Sequence, residues 1–357
     1  MYIVDGKHYS QGELLRFSTT QIKAGQEEWS RKVFTFIREW LSSTPQINLK
    51  TSGTTGKPSE IQVTKEKLRA SARATRDFFG LTPEMSCLLC LSPDYIAGKM
   101  MIVRALETKM NLILTKPRAN PLTGLAIPID FTAMVPYQAN TILAENPDSL
   151  ALLHLLLIGG SAISPECEEQ LSAVPCEVYE TFGMTETLTH FAVRKIGTER
   201  DRVFHTLPGV TVAETDDRCL MVTAPWFPIS PFITRDIVKL LSPQSFQWIG
   251  RRDYIINTGG VKVSPEHVER MIAPGFRSTS FFVAGLPDEK LGERIGLFIE
   301  DPGVNDIEVL TVTPAMKKGI FNLLTDYEIP KEIITLKRFI RTENGKIRRH
   351  ETIKLFI

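Results

Sequence analysis

Thr51-Ser52-Gly53-Thr54-Thr55-Gly56-Lys57-Pro58 is the stretch on which the reading of this chain turns. Glycines let a backbone approach a ligand closely, while the hydroxyls, the amides and one lysine offer many donors to phosphate oxygens. The stretch is therefore expected to hold a polyphosphate. It is not a Walker A loop, because Thr51 stands where that motif needs its first glycine and Pro58 replaces the Ser/Thr that would ligand magnesium. Taken alone, a flexible surface loop is the competing reading.

Working outward, Trp29, Val33, Phe34, Ile37, Trp40 and Leu41 fall at helical spacing, and Ile47-Asn48-Leu49-Lys50 reads as a short strand entering the loop. Past the loop, Ile61 and Val63 suggest a strand, and Thr64 caps a helix running through Leu68, Ala72 and Phe79. Apolar runs at 87–91, 112–114, 133–135 and 152–158 alternate with helix-like stretches, which predicts a mainly parallel α/β sheet. His154 sits inside one such run and reads as a satisfied core histidine. Cys87 and Cys90 form a CxxC in an apolar run with no second ligand pair, so they read as a buried strand rather than a metal or redox site.

From 191 to 250 the pattern changes to alternating segments broken by Pro208-Gly209 and the proline-rich 225–231, as in a smaller β-rich subdomain. Beyond it comes a separate α+β pattern: Ser264-Pro265-Glu266 opens a helix, 280–285 and 294–299 read as strands, and Thr313-Pro314 opens another helix. The boundary is expected near Gly250 to Asp253, giving an N-terminal domain over 1–250 and a small C-terminal domain over 251–357.

The chain has 357 residues, 43% of them hydrophobic, and its 42 basic and 41 acidic side chains leave a net charge of +1. No global field recruits nucleic acid or an anionic membrane, so any anion site must be local. An odd count of five cysteines, without a secreted framework, suggests reduced thiols. The N-terminus lacks a basic region followed by a long apolar stretch, and no segment is long enough to span a bilayer. A cytoplasmic protein is the expectation.

With the loop read this way, the stretch from Thr51 to Pro58 resembles the phosphate-binding signature of the adenylate-forming superfamily of acyl-CoA synthetases, peptide-synthetase adenylation domains and luciferases. Further motifs follow in the family's order. Gly159-Gly160-Ser161-Ala162 resembles the turn lining the adenine and acyl site. Tyr179-Glu180-Thr181-Phe182-Gly183-Met184-Thr185-Glu186 resembles the aromatic-Gly-x-Thr-Glu motif, with Phe182 beside adenine, Thr185 near the phosphates and Glu186 on magnesium. Thr234-Arg235-Asp236 resembles Thr-Gly-Asp, whose aspartate accepts hydrogen bonds from the ribose, with Arg235 in place of glycine.

Gly250-Arg251-Arg252-Asp253 resembles the hinge motif, in which Arg251 reaches the nucleotide and Asp253 absorbs the backbone rotation between domains. Gly259-Gly260 resembles the turn that lines the coenzyme A tunnel after that rotation, or is a plain hairpin turn. Arg341-Thr342-Glu343-Asn344-Gly345-Lys346 resembles the C-terminal lysine motif, with Lys346 as the catalytic cation. The resemblance implies a ligase that uses ATP, magnesium and coenzyme A. Thr51, Ser52, Gly53, Thr54, Thr55, Gly56, Lys57, Gly159, Gly160, Glu180, Thr181, Phe182, Asp236 and Arg251 would bind ATP, and Thr185, Glu186 and Lys346 would act on it.

Family members carry a much longer stretch ahead of the phosphate loop than the 50 residues here. A reduced fold with a more exposed sheet edge follows as an expectation, with a second copy of the chain as a candidate cover. Leu91-Ser92-Pro93-Asp94-Tyr95-Ile96-Ala97-Gly98-Lys99 resembles a segment of the o-succinylbenzoate–CoA ligases of menaquinone biosynthesis, with Tyr95 replacing the usual histidine. Arg104, six residues after Gly98, suits a substrate with a second carboxylate, unless it is a helix-surface arginine. Tyr95, Gly98 and Arg104 are the candidate acid-binding residues. Other readings remain open: a ligase for another aryl or short-chain acid, an adenylation protein loading a carrier protein, or a nucleotide-binding sensor without catalysis.

Overall fold

In the computed structural model, residues 1–24, 27–50, 60–197, 202–276, 279–341 and 347–357 are described. The apolar runs become neighbouring strands because each is short and apolar, and those over Ser86–Leu89, Ile129–Met134 and Leu153–Ile158 are followed by helices that pack back on the sheet. Six strands run parallel in the spatial order Tyr2–Val4, Asn111–Leu114, Ser86–Leu89, Ile129–Met134, Leu153–Ile158 and Glu177–Gly183. Glu28–Leu41, Lys65–Phe79 and Ile96–Thr108 contribute Phe34, Leu68 and Met101 to the core on one face. Pro136–Glu145 and Pro165–Ser172 contribute Ile142 and Cys167 to a second core. Thr64 caps its helix as expected, its hydroxyl accepting from the Lys67 amide at 3.4 Å.

The β-rich stretch expected after 190 extends the same sheet: His190–Lys195 pairs antiparallel with Glu177–Gly183, and the ladder continues through Val203–Thr206, Ser245–Arg251, Phe232–Ser242, Cys219–Thr223 and Thr211–Glu214. The resulting sheet has 13 strands. The edge expected to be exposed is closed by the first nine residues, a hairpin of Tyr2–Val4 and Lys7–Tyr9 whose first strand pairs parallel with Asn111–Leu114. Asp5 accepts from the Leu114 amide at 2.9 Å, and the Gly6 amide donates to Asn111 Oδ1 at 3.0 Å. The new edge strand is three residues long and carries exposed Lys7 and His8, a poor template for further pairing. His154, finally, is exposed as the second residue of Leu153–Ile158, between buried Leu153 and Leu155.

Cys87 and Cys90 are buried, and burial pushes both thiols up to about 12, so neither is a thiolate at neutral pH. Past Arg251 the chain leaves the large sheet through a one-turn helix, Arg252–Tyr254, and enters a second sheet ordered Val261–Val263, Ile256–Thr258, Gly292–Glu300, Glu332–Leu336 and Glu308–Thr311, with Phe281–Asp288 also paired to Gly292–Glu300. This C-terminal part has its own cores, around Val268, Val283 and Leu297 on one face and Phe282, Phe298 and Ile334 on the other. Ser264 and Thr313 cap its helices Pro265–Ile272 and Pro314–Lys318.

Candidate active site

In an open parallel sheet, ligands gather at the carboxyl ends of the strands. Gly159-Gly160 leaves the end of Leu153–Ile158, Gly183 to Glu186 leaves the adjacent Glu177–Gly183, and Ser92 to Gly98 follows Ser86–Leu89, so three of the quoted motifs open at one end. All three turns require glycine, Gly183 because a Cβ there would collide with the backbone of Thr189 and His190. A Cβ on Gly159 would stand 2.0 Å from the Thr181 hydroxyl, and one on Gly98 only 2.2 Å from the Ser92 carbonyl oxygen. Thr181 is tied to that turn through its hydroxyl, which donates to the Ile158 carbonyl at 3.2 Å.

Thr185 and Glu186 lie in a single helical turn, Thr185–Thr187, with Thr185 buried and Glu186 exposed. The Thr187 hydroxyl accepts from the Met184 amide at 3.1 Å and lies 2.9 Å from the Thr189 carbonyl, which closes the turn. Leu188 then takes φ 68°, a left-handed value that a buried leucine adopts only when its surroundings impose it. The strained residue redirects the chain so that Thr189 and His190 face the helix Ile96–Thr108.

There they meet Arg104, which is only 2% exposed; the helix-surface alternative is thereby removed. Its Nε donates to Thr75 Oγ1 at 3.2 Å, and its Nη2 donates to Thr189 Oγ1 at 3.1 Å and faces His190 Nδ1 at 3.4 Å. Arginine only donates, so Nδ1 accepts and the proton sits on Nε2, which is 3.3 Å from the Thr75 hydroxyl. That hydroxyl in turn donates to the Ser71 carbonyl at 3.3 Å. The collar is neutral: burial, and then Arg104 itself, hold His190 well below the ordinary histidine range. Nη1 meets only the Met101 sulfur at 3.8 Å, and no carboxylate pairs with Arg104 among the described residues. Burial pushes the guanidinium down to about 10, still charged at neutral pH. The cost of an unpaired buried charge is several kcal/mol, which an incoming anion would offset. Sequence reasoning found Arg104 and missed Thr189 and His190, whose only signal was proximity to Thr185-Glu186, and Thr75, which lies in Lys65–Phe79 and carried no local signal.

Glu180, expected at the nucleotide, is engaged elsewhere. Its carboxylate is buried, accepts from Arg194 Nε at 2.5 Å and from the Ile163 amide at 3.3 Å, and so ties the Gly159-Gly160 loop to the sheet. Arg194 is fully buried and also grips Glu168, at 2.6 and 2.8 Å. Phe182 packs edge-on against Phe191, Phe204 and Phe246, with centroids 5.7, 5.1 and 5.3 Å away.

Asp236 is buried at the start of Phe232–Ser242, accepting from Trp248 Nε1 at 3.2 Å with Arg251 Nη1 3.9 Å away. Burial raises its pKa against the opposing pull of Arg251. Asp253, in the linking turn, accepts from Arg235 Nη1 at 2.8 Å and Arg251 Nη2 at 3.1 Å. Partial burial pushes its carboxyl up, but those two arginines hold it below the ordinary range. Gly259 and Gly260 are the two central residues of the hairpin joining Ile256–Thr258 to Val261–Val263, with φ 58° and 83°. Tyr95 is partly exposed at the start of Ile96–Thr108, its amide donating to the Ser92 carbonyl at 3.2 Å. Lys346 and Thr51 to Lys57 lie outside the described residues.

A parallel block extended by antiparallel strands, turns rich in glycine and threonine at the strand ends, and a small second sheet reached through a one-turn linker define the adenylate-forming architecture. A family profile described as AMP-binding enzyme matches residues 42–219. The acyl-CoA synthetase (AMP-forming)/AMP-acid ligase II-like protein of Dyadobacter fermentans is 33% identical, with a TM-score of 0.62, covering 95% of this chain and 98% of that one. A protein of Mycobacterium tuberculosis named "Probable 2-succinylbenzoate--CoA ligase" is 27% identical over 343 residues, 90% of this chain and 87% of that one. The o-succinylbenzoate coenzyme A synthetase of Bacillus subtilis, solved with ATP and a magnesium ion, is 17% identical with a TM-score of 0.73 over 97% of this chain and 82% of that one, a likeness of fold alone. The chain belongs to the AMP-binding enzymes, the AMP-forming acid–thiol ligases whose members use ATP.

Proposed function

We propose that this enzyme adenylates o-succinylbenzoate and passes the acyl group to coenzyme A in menaquinone biosynthesis, releasing pyrophosphate and then AMP. The observation that carries the choice of acid is Arg104: a buried guanidinium with neutral partners on Nε and Nη2 and only a thioether on Nη1 suits an acid that brings a second carboxylate. The names of the 2-succinylbenzoate–CoA ligases among its relatives support the same reading.

A carboxylate is a poor electrophile because its charge is delocalised, so its oxygen must become part of a leaving group before a thiol can attack. In the first step the acid's carboxylate oxygen bonds to the α-phosphorus of ATP, and the bond from that phosphorus to the departing pyrophosphate breaks. Thr51 to Lys57 would hold the pyrophosphate, Asp236 the ribose hydroxyls and Phe182 the adenine edge. Lys346 and Arg251 would balance charge on the phosphoryl oxygens. Glu186 is an exposed carboxylate with no cation partner among the described residues, a hard oxygen donor suited to magnesium. The ion, when bound, supplies charge neutralisation on the phosphates. In the second step the thiolate of coenzyme A attacks the acyl carbon and AMP leaves. Residues 251–357 would turn about Asp253 between the steps, bringing Gly259-Gly260 to the thiol's path.

Acid-dependent exchange of labelled pyrophosphate into ATP tests this, with o-succinylbenzoate compared against monocarboxylic aryl and short-chain acids. Exchange is expected to be strongest with o-succinylbenzoate, and free coenzyme A is expected to outperform a holo-carrier protein as acceptor. Stronger exchange with a monocarboxylic acid would sink the assignment, and no exchange with any acid despite ATP binding would favour a non-catalytic sensor.

A further inference from the structure

Arg235 occupies the position where the resembled motif has glycine, and the structure shows what it does there. Along Phe232–Ser242, Thr234 and Asp236 point inward while Ile233 and Arg235 point out. Arg235 reaches Asp253 Oδ1 at 2.8 Å, Arg251 reaches Asp253 Oδ2 at 3.1 Å, and Arg251 Nη1 lies 3.9 Å from Asp236 Oδ1. The side chains thus form one row of alternating charge: Arg235, Asp253, Arg251, Asp236. One end is the nucleotide aspartate and the other is the turn where the chain crosses between sheets. The same turn is held by Arg252 Nη1 to Asp217 Oδ2 at 2.7 Å.

We propose that Arg235 is a positioning residue that clamps the Asp253 turn in the orientation seen here, so that this chain holds one of its two domain orientations more firmly than it would with an uncharged residue at that position. The inference rests on the two-step reading above. Arg251 is shared between Asp253 and Asp236 and is drawn away when a nucleotide engages it. Arg235 has no such second duty, so Asp253 keeps one partner throughout the first step. The Arg235 side chain is 68% exposed, which makes this a surface pair. Such a pair shifts a two-state balance by about two- to fivefold, which matters little to folding but much to an enzyme that visits both orientations in each turnover.

The test uses the full-length enzyme with Arg235→Gln and Arg235→Lys. Two single-turnover rates are measured separately: acyl-adenylate formation from acid and ATP, and thioester formation from supplied acyl-adenylate and coenzyme A. In Arg235→Gln the ratio of the two rates is expected to move by about two- to fivefold without both falling, and Arg235→Lys is expected to stay close to the parent. Raising salt is expected to move the parent ratio in the same direction and to leave Arg235→Gln unmoved. Spin labels on Asp148→Cys and Lys317→Cys give the interdomain distance without any activity, since all five native cysteines are buried. The distance distribution is expected to shift or broaden in Arg235→Gln. An unchanged ratio with an unchanged distribution overturns the clamp, as does a parallel fall in both rates or a lysine variant equal to the glutamine one. If no acid yields an acyl-adenylate in the parent enzyme, the catalytic reading has failed, and the distance measurement still decides the clamp.

Discussion

Replacing Arg104 by methionine removes the one charge in a pocket that otherwise holds hydroxyls, a neutral imidazole and a thioether. Two effects follow, and they have opposite signs. For folding, a guanidinium with no carboxylate partner among the described residues is exchanged for an apolar chain of similar length. Relief of its desolvation offsets the donors lost by Thr75, Thr189 and His190, each costing about 1 kcal/mol, so stability should stay within roughly 2 kcal/mol of the parent. For substrate binding, the second carboxylate of the acid loses its cation in a buried site, a loss of about 2–5 kcal/mol. That corresponds to roughly thirty- to several-thousand-fold in kcat/KM for o-succinylbenzoate. The assay is pyrophosphate exchange against acid concentration, run alongside the KM for ATP and a thermal melt. The analogue lacking the ring carboxylate, 4-oxo-4-phenylbutanoate, should be a poor substrate for the parent and no worse for the variant. Equal losses on both acids, or a variant within about threefold of the parent on o-succinylbenzoate, would refute the assignment of Arg104 to the second carboxylate. A large drop in melting temperature together with a raised KM for ATP would make Arg104 a structural residue instead.

Two further outcomes are expected. Because burial raises the pKa of Asp236, its ionised form is what the fold disfavours, and the associated stability is present at low pH and lost as pH rises through the folded value. Asp236 is correspondingly protonated at a higher pH than an ordinary aspartate, so if it accepts the ribose hydroxyls as proposed, the KM for ATP should climb on acidification before pH reaches the usual carboxylate range. Asp236→Asn should raise that KM at neutral pH and flatten its acid limb; an unchanged limb in the variant would assign it to another group. Gly98→Ala puts a methyl 2.2 Å from the Ser92 carbonyl oxygen, and the turn or the helix must move. About 1–3 kcal/mol of destabilisation by denaturant titration is expected, with KM for the acid raised more than KM for ATP, and a neutral variant would contradict the packing described.

Local signals in the sequence were the ones most faithfully realised. Thr64, Ser264 and Thr313 cap the helices they were expected to cap, because a side-chain hydroxyl satisfying a helix's free amides is a short-range interaction written in a few residues. The apolar runs at 87–91 and 152–158 gave the buried parallel strands for the same reason. What failed was long-range. Asp5-Gly6 is a good hairpin turn, but nothing local says that its first strand pairs with Asn111–Leu114 and closes the edge. The alternating segments after 190 were readable as strands, whereas the ladder that joins them to the parallel block depends on partners far away in sequence. At the site, motif likeness identified which turns converge and could not say which face a side chain takes. Glu180 lies one residue from Thr181 and two from Phe182, yet its carboxylate belongs to Arg194. Arg104 was legible as a cation and illegible as a buried one, since its solvent exclusion comes from Thr75 and His190 on other elements.

The pairing of the first strand with Asn111–Leu114 sets a waiting time on synthesis. The Gly6 amide and its acceptor on Asn111 are 105 positions apart. At ribosomal speed, the beginning of the chain is made about 5–20 seconds before its docking strand emerges. Throughout that interval Gln11–Lys23 and Glu28–Leu41 have no sheet to pack on, and Val33, Phe34, Ile37 and Trp40 are left facing solvent or a chaperone. The residues that complete the edge of the finished sheet are thus made well before the strand on which they dock.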